Sequence, residues 1–201
     1  MKLLLIMKIL LVYAIPEEKI EISIPGAELI YVETGVGKVR AAMRLMRAIC
    51  EHHPDMVINF GTAGTLNHKV GDIIVCNRFI DRDLRKVVFD GVISEIDFGR
   101  DAINRVFTVQ QLMERAHLYG TCNTGDSFIT QGTEIEGDVI DMESYAEADV
   151  CRELGIPFVA VKYVTDVVGQ NSWQDWYGKL KDARAGLTEF FNKNVISTGT
   201  K

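Results

Sequence analysis

Six short apolar runs alternate along this chain with longer segments in which apolar residues recur at helical spacing. Each run has two to four residues, many of them β-branched, which is too short for a helix and typical of a buried strand. Strands that alternate with amphipathic helices predict an α/β domain with a largely parallel central sheet. The runs are residues 9–12, 29–32, 56–58, 73–75, 139–140 and 158–161.

The segments between these runs are amphipathic and are expected to cover the faces of the sheet. Gly155 can adopt the left-handed conformation that ends a helix, and Pro157 follows it before the next strand. The charges in residues 78–100 are too scattered to assign, so an irregular loop and an antiparallel hairpin both remain open there. Helices are predicted over residues 39–50, 103–116, 143–154 and 176–194.

Chain length and net charge restrict the partners of this protein. With 201 residues the chain fits a single domain, residues 1–201, because separate cores form only beyond roughly 250–300 residues. A formal net charge of −6 disfavours nucleic acid, whose phosphates need a basic surface. We therefore expect a small-molecule partner and no nucleic acid.

Cysteine spacing and the N-terminal residues bear on localisation. The spacing of the four cysteines fits neither a zinc site nor a C-x-x-C redox motif, so we predict reduced, buried thiols in a cytoplasmic protein. The histidines show no ligand spacing either, so no metal ion is expected. Residues 1–15 are similar to a signal peptide, but Lys8 interrupts the apolar stretch, so a strand that starts near Met7 is preferred. No other stretch approaches the roughly 20 apolar residues of a membrane span, so no membrane partner is expected.

Polar residues follow four of the predicted strands. The carboxyl ends of strands in an open α/β sheet form the usual ligand crevice, so these residues are candidates for a site. Carboxylates in different surroundings can divide acid and base roles, although each could equally cap a helix or stay solvated. The four segments are residues 14–18, 59–64, 141–143 and 162–166.

Two glycine patterns lie near these strand ends. Arg40 occupies the third small position of a dinucleotide fingerprint, and Lys38 lacks the following Ser or Thr of a P-loop. A tight turn through Gly35 and Gly37 that opens a helix at Lys38 is therefore predicted. The small residues 62–64 would allow a ligand to approach the backbone closely, although a plain turn after a strand would look the same.

The chain also contains, in this order, the blocks GVGKV at 35–39, VINFGTAG at 57–64, VGDIIV at 70–75, TGDSFI at 124–129, DME at 141–143 and IPFVAV followed by TD at 156–166. These blocks resemble the nucleoside phosphorylase family, and within it the methylthioadenosine/S-adenosylhomocysteine nucleosidases. The resemblance extends over nearly the whole chain. It implies a three-layer sandwich in which helices flank a central mixed, largely parallel sheet.

The resemblance implies an enzyme that hydrolyses the N-glycosidic bond of a purine nucleoside, with three catalytic carboxylates. Asp166, oriented by Thr165, would protonate N7 of the departing purine, which requires a neutral carboxyl group. Glu143 would hold the ribose hydroxyls beside Met142, and Glu18 would activate the attacking water. This chemistry needs an acid at the base, a negative environment at the ribose and a nucleophile on the opposite face, but no metal ion or cofactor.

The same resemblance implies further substrate contacts. Phe128 would stack on the base, and the backbone of Ile129 would read its edge. Trp173 or Trp176 would line an apolar pocket for a 5′ alkylthio group, although core packing explains Trp176 equally well. The remaining substrate-binding candidates are Thr62, Ala63, Gly64 and Lys162, the last of which stands where nucleosidases usually carry an arginine that positions the water.

The identity of the nucleophile separates two activities within this family. Asn59 stands where phosphate-using members typically have an arginine, and residues 56–64 contain no cation, so water is favoured over phosphate. A phosphate-dependent phosphorylase and a catalytically weak nucleoside-binding homologue remain the alternatives. Methylthioadenosine, adenosylhomocysteine, futalosine-type and unmodified nucleosides all remain open as substrates. The family also implies a homodimer, although this chain is short between Val75 and Thr121.

Overall fold

The computed structural model describes residues 6–99, 119–129, 135–169 and 172–195. The strands are β1 Met7–Tyr13, β2 Ala27–Glu33, β3 Met56–Thr65, β4 Ile73–Asp81, β5 Glu95–Asp97, β6 Tyr119–Thr124, β7 Val139–Asp141 and β8 Phe158–Val167. The helices are α1 Lys38–His52, α2 Ser144–Glu153 and α3 Ser172–Val195, and a 3₁₀ turn spans Pro16–Glu18.

All six predicted runs lie in strands; of the two further strands, β6 was not predicted, and β5 was foreseen only by the hairpin alternative. β6 has no apolar run, and it forms because β4 and β7 pair with its two edges. β5 pairs antiparallel with β4, which confirms the hairpin alternative for residues 78–100. The helix predicted over residues 103–116 lies outside the described residues.

The sheet closes on itself through β8. Its strand order is β2-β1-β3-β7-β6-β4-β5, and β8 pairs with both β3 and β4. Five of the eight pairings are parallel, which confirms a mixed, largely parallel sheet. The expected three-layer sandwich is corrected to a barrel-like ring of β3, β7, β6, β4 and β8, because residues 160–163 of β8 pair with β3 on one edge and with β4 on the other.

Alternate residues of the central strands supply two apolar clusters. In β1, Ile9 and Leu11 pack into the cluster that includes α3, whereas Leu10 and Val12 pack into the cluster that includes α1 and α2. A strand buried on both faces appears in the sequence as a continuous apolar run. Each fully buried aliphatic side chain contributes about 1.5–3 kcal/mol, so these clusters hold the strand ends of the site in place.

Two predicted helix boundaries depend on glycine. α1 begins at Lys38 as predicted, and Gly35 and Gly37 before it have φ values of 82° and 90°, which favour glycine. Asp126 accepts the backbone N–H of Lys38 at 2.8 Å, so a residue distant in the sequence caps α1. Gly155 has a φ of 65° and follows α2, as predicted.

Two expectations about localisation are tested in part. Within the described ranges, no helix has both the length and the apolar character needed to cross a membrane. The four cysteines are free thiols. Cys76, Cys122 and Cys151 are buried as predicted, whereas Cys50 is exposed because it lies on the outer side of α1, so its predicted burial is wrong.

Candidate active site

A cavity of about 200 Å³ lies where β1, β3, β6, β7 and β8 end. Three carboxylates that are far apart in the sequence, those of Glu18, Glu143 and Asp166, line it together. The other lining residues are Ala14, Ile15, Val36, Thr62, Ala63, Gly64, Arg82, Ser127, Phe128, Ile129, Ile140, Asp141, Met142, Val168 and Trp176.

Glu18 is buried at the end of the 3₁₀ turn that follows β1. Its Oε1 accepts the backbone N–H of Thr62 at 2.8 Å and the hydroxyl of Thr62 at 2.6 Å. Its Oε2 accepts the backbone N–H of Ala14 at 3.3 Å. A Cβ on Gly61 would lie 3.1 Å from Oε1, so the absent side chain gives the carboxylate its room. An ionised carboxylate, which only accepts hydrogen bonds, suits these three donors.

A β-bulge directs Asp166 into the cavity. The pairing of β3 with β8 shifts between Ala63 and Gly64, so that Gly64 lies opposite Asp166. An extra residue in one strand bends it and re-aims its side chains. The Thr165 hydroxyl donates to Oδ1 of Asp166 at 2.8 Å, while a Cβ on Gly64 would lie 3.1 Å from Oδ2. The threonine thus orients the carboxyl group, and the glycine leaves room for it.

Glu143 immediately precedes α2 and is buried. Its Oε1 accepts the backbone N–H of Gly37 at 2.9 Å, which joins it to the glycine turn before α1. Burial raises the pKa of Glu143 to about 8, and the negative charge of Asp141 adds to the shift, while Lys162 opposes it. At neutral pH this carboxyl group therefore carries its proton for much of the time.

Beside Glu143 lies a buried ion pair between Lys162 on β8 and Asp141 at the end of β7. Lys162 Nζ lies 2.9 Å from Asp141 Oδ2. The hydroxyls of Thr124 and Ser144 also donate to Asp141. Burial opposes ionisation of Asp141, but the charge of Lys162 and these hydrogen bonds hold its pKa below its ordinary value. Burial lowers the pKa of Lys162, and Asp141 more than offsets that effect.

A second buried carboxyl group, Glu147, lies one turn further along α2. It accepts hydrogen bonds from the Thr34 hydroxyl at 3.0 Å and from Asn59 Nδ2 at 2.8 Å. Burial raises its pKa to about 7, although Lys162 and the two donors oppose the shift. Glu147 was not predicted, yet a glutamate on the buried face of a predicted helix is a usable signal, because unpaired charges are rarely buried.

Trp176 reaches the cavity from the first turns of α3. Its indole N–H donates to the Thr62 hydroxyl at 2.9 Å, and that hydroxyl donates to Glu18. The open choice between core packing and cavity lining is therefore decided for the cavity. The side chain of Trp173 lies outside the described part of the structure.

Arg82 was not predicted, because it lies in the stretch without periodicity that follows β4. It lines the cavity beside Ser127 and Phe128, and it donates hydrogen bonds to backbone carbonyls. Burial lowers the pKa of its guanidinium, and the charges of Asp141 and Asp83 oppose that shift. No local pattern could have identified it, because its partners are main-chain atoms.

Most of the predicted site residues meet at the cavity. Glu18, Glu143 and Asp166 line it with the predicted binding residues Thr62, Ala63, Gly64, Phe128, Ile129 and Met142. Two others stand behind the lining residues: Thr165 supports Asp166, and Lys162 pairs with Asp141.

Comparison with known proteins identifies relatives of this chain. A family model described as Phosphorylase superfamily matches residues 18–193. The 5′-methylthioadenosine/S-adenosylhomocysteine nucleosidase of Bacillus velezensis is 30% identical over 193 residues, which cover 87% of this chain and 83% of that protein.

Solved structures of proteins with that same name are similar in fold. That of Helicobacter pylori, in complex with a pyrrolopyrimidine-substituted pyrrolidinol, has a TM-score of 0.80 and 18% identity, and the match covers 96% of this chain and 99% of that one. That of Borrelia burgdorferi, described as putative in its name and bound to adenine, has a TM-score of 0.78 and 21% identity, and the match covers 94% and 99%.

Proposed function

The chain belongs to the phosphorylase superfamily, and from that membership we propose that it hydrolyses the N-glycosidic bond of a 5′-modified adenosine, such as 5′-methylthioadenosine or S-adenosylhomocysteine, and releases adenine. The observation that carries this proposal is the meeting of Glu18, Glu143 and Asp166 at one cavity. Its curated relatives bear the name of this activity, and one similar structure holds adenine.

In the proposed reaction Asp166 is the acid at the purine. Cleavage of the bond makes N7 of the departing base more basic, so a carboxyl group placed there can donate a proton to it. The hydrogen bond from Thr165 fixes one oxygen of Asp166. Gly64 allows the other oxygen to lie against the backbone of β3. Both contacts support a single orientation of the carboxyl group toward the base.

Glu18 is the proposed base for the attacking water. The Thr62 hydroxyl accepts the indole N–H of Trp176, so its own proton points to Glu18. Donors that are oriented before the reaction need no reorganisation during it. Glu143 is the proposed ribose ligand: its carboxyl group, protonated for much of the time at neutral pH, can donate to one ribose hydroxyl and accept from another.

Water is the proposed nucleophile because, among the residues that the structure describes, the cation that lines the cavity and the one next to it are already engaged. Arg82 donates to main-chain carbonyls, and Lys162 pairs with Asp141 at 2.9 Å. A phosphate dianion beside Glu18 would meet a like charge, whereas a water molecule would not. These two observations favour a hydrolase over a phosphorylase.

An apolar group is the proposed 5′ substituent. Ile15, Val36 and Val168 line the cavity together with the ring of Trp176. Apolar side chains with a few placed polar groups are typical of a small-molecule site, and here they suit an alkylthio chain. Methylthioadenosine is therefore the first substrate to test.

The test is incubation of the protein with methylthioadenosine in phosphate-free buffer, with adenine measured by chromatography. We expect adenine to be released, and we expect Glu18→Gln to lower the rate by about 10²–10⁴-fold, as removal of a general base does. Glu17→Gln, a change at the exposed neighbour, is the matched control and should keep the wild-type rate.

Two results would contradict the proposal. Adenine release that appears only after phosphate is added would make the protein a phosphorylase. Binding of nucleosides without turnover, together with no effect of Glu18→Gln, would make it a nucleoside-binding protein.

A homodimer is also proposed. The exposed face of α1 carries the apolar side chains of Val39, Met43 and Met46, and Val36, two residues before the helix, is also exposed and lines the cavity. Exposed apolar patches of this kind commonly mark interfaces between proteins. Sedimentation should give a dimer, and Met43→Asp should weaken it, whereas an active wild-type monomer would contradict the proposal.

The cytoplasm is the proposed location. The free thiols at Cys50, Cys76, Cys122 and Cys151 support it, because reducing compartments keep cysteines unpaired. Fractionation of cells that produce the full chain would test it, and recovery of the protein outside the cytoplasm would contradict it.

A further inference from the structure

Arg82 joins β6 and the loop after it to the end of β7. Its Nη1 donates to the carbonyl oxygens of Asn123 and Asp141, both at 3.2 Å. Its Nη2 donates to the carbonyl oxygens of Gly125 at 2.8 Å and Ser127 at 2.5 Å. One side chain therefore holds four main-chain oxygens, three from β6 and the loop after it and one from the end of β7.

Two of these carbonyl groups belong to peptide units whose N–H comes from a residue that lines the cavity. In a trans peptide unit the C=O and the following N–H point in opposite directions. Because Arg82 binds the carbonyl oxygen of Ser127, the N–H of Phe128 points away from the guanidinium. Its bond to the carbonyl oxygen of Asp141 likewise makes the N–H of Met142 point away. Since Phe128 and Met142 both line the cavity, the guanidinium sets the orientation of two of its peptide units.

The site that holds Arg82 accepts a guanidinium and depends on a glycine. A Cβ at position 125 would lie 2.6 Å from Arg82 Nε and 2.7 Å from Cζ, closer than non-bonded atoms approach. A guanidinium spreads five N–H donors in a planar fork, whereas the ammonium of lysine concentrates three donors on one atom. Lysine at position 82 could therefore not reach all four oxygens at once.

We propose that Arg82 is a positioning residue for purine recognition, which fixes residues 125–129 against the end of β7 and thereby sets the affinity of the cavity for adenine. This inference rests on the proposed function, because adenine is taken as the base. Glu18 and Asp166 are held by contacts that do not involve Arg82. A change at Arg82 therefore acts on binding of the base more than on turnover of bound nucleoside.

The experiment measures the Kd of adenine by calorimetry, and KM and kcat for methylthioadenosine, on the purified full chain. Arg82→Lys should raise both Kd and KM by about tenfold or more, with a smaller change in kcat, because hydrogen bonds to a charged group are lost. Gly125→Ala keeps the arginine but displaces it, and should change Kd in the same direction. Arg85→Lys is the matched control, because Arg85 bonds to Glu95 and Glu136 at the surface.

A purely structural role would lower the melting temperature and leave the adenine Kd of the folded protein unchanged. A folded Arg82→Lys variant with the wild-type Kd for adenine would therefore overturn the inference. If Arg82→Lys does not fold, a Gly125→Ala variant with the wild-type Kd would overturn it. A wild-type protein that neither binds adenine nor releases it would instead overturn the proposed function.

Discussion

Two ion pairs in this protein share one N–O distance and differ in burial. Lys162 Nζ lies 2.9 Å from Asp141, with side chains 3% and 1% exposed. Lys179 Nζ lies 2.9 Å from Asp182, with side chains 44% and 53% exposed. We expect Lys162→Met to lower the free energy of unfolding by about 3–5 kcal/mol, because it leaves a buried carboxylate without its counter-charge. Lys179→Met should change it by about 0–1 kcal/mol.

The effect of pH gives the prediction its sign. The folded-state pKa of Asp141 is below its ordinary value, so the stability that this group contributes is present at neutral pH and is lost as pH falls through that pKa. Without Lys162, burial should raise the pKa of Asp141 instead. The variant would then be relieved by protonation, and its deficit relative to the wild type should shrink as pH falls from 7 to 5.

The assay is urea unfolding of the wild type and of both variants at pH 7 and pH 5, followed by circular dichroism. The double variant Lys162→Met/Asp141→Asn should recover at least half of the loss at pH 7, because the isolated charge is gone. A loss in Lys162→Met no larger than that in Lys179→Met would refute the reasoning. So would a deficit that stays constant between the two pH values.

Three further predictions concern groups around the cavity. The folded-state pKa of Glu147 is raised to about 7, so wild-type stability should fall as pH rises from about 4.3 to 7. Glu147→Gln should remove about 3 kcal/mol of that fall when the free energy of unfolding is measured across this pH range. An unchanged slope of stability against pH would count against the prediction. Trp176→Phe removes the N–H that orients the Thr62 hydroxyl, so kcat should fall about threefold to tenfold. The exposed control Tyr177→Phe should keep the wild-type kcat. Equal kcat values in the two variants would exclude a catalytic effect of the hydrogen bond from Trp176 to Thr62. Asp166→Asn should lower kcat by about 10²–10⁴-fold in the adenine-release assay, and near-normal turnover would remove Asp166 from the role of acid.

Local sequence patterns predicted much of this fold. The apolar runs located six strands, since residues buried on both faces of a sheet must be apolar at successive positions. The strand lengths were underestimated. β3 extends to Thr65 and β4 to Asp81, because small and polar residues there pair with neighbouring strands that the local pattern does not reveal.

The candidate site was predictable in part for a similar reason. Glu18, Glu143 and Asp166 each follow or end a predicted strand, and the family resemblance gave each of them a role. Arg82 and Glu147 could not be assigned in the same way. The partners of Arg82 are carbonyl oxygens, and those of Glu147 are the side chains of Thr34, directly after β2, and Asn59 on β3.

The sequence alone determined six of the eight described strands, the helix that begins after the glycine turn, and the acidic residues at strand ends. Only the tertiary structure decided that β8 pairs with both β3 and β4, so that the sheet closes. It also decided which buried charges face each other, as Lys162 and Asp141 do. The physical reason is that periodicity reports the burial of one segment, whereas strand closure and charge pairing depend on contacts between segments far apart in the chain.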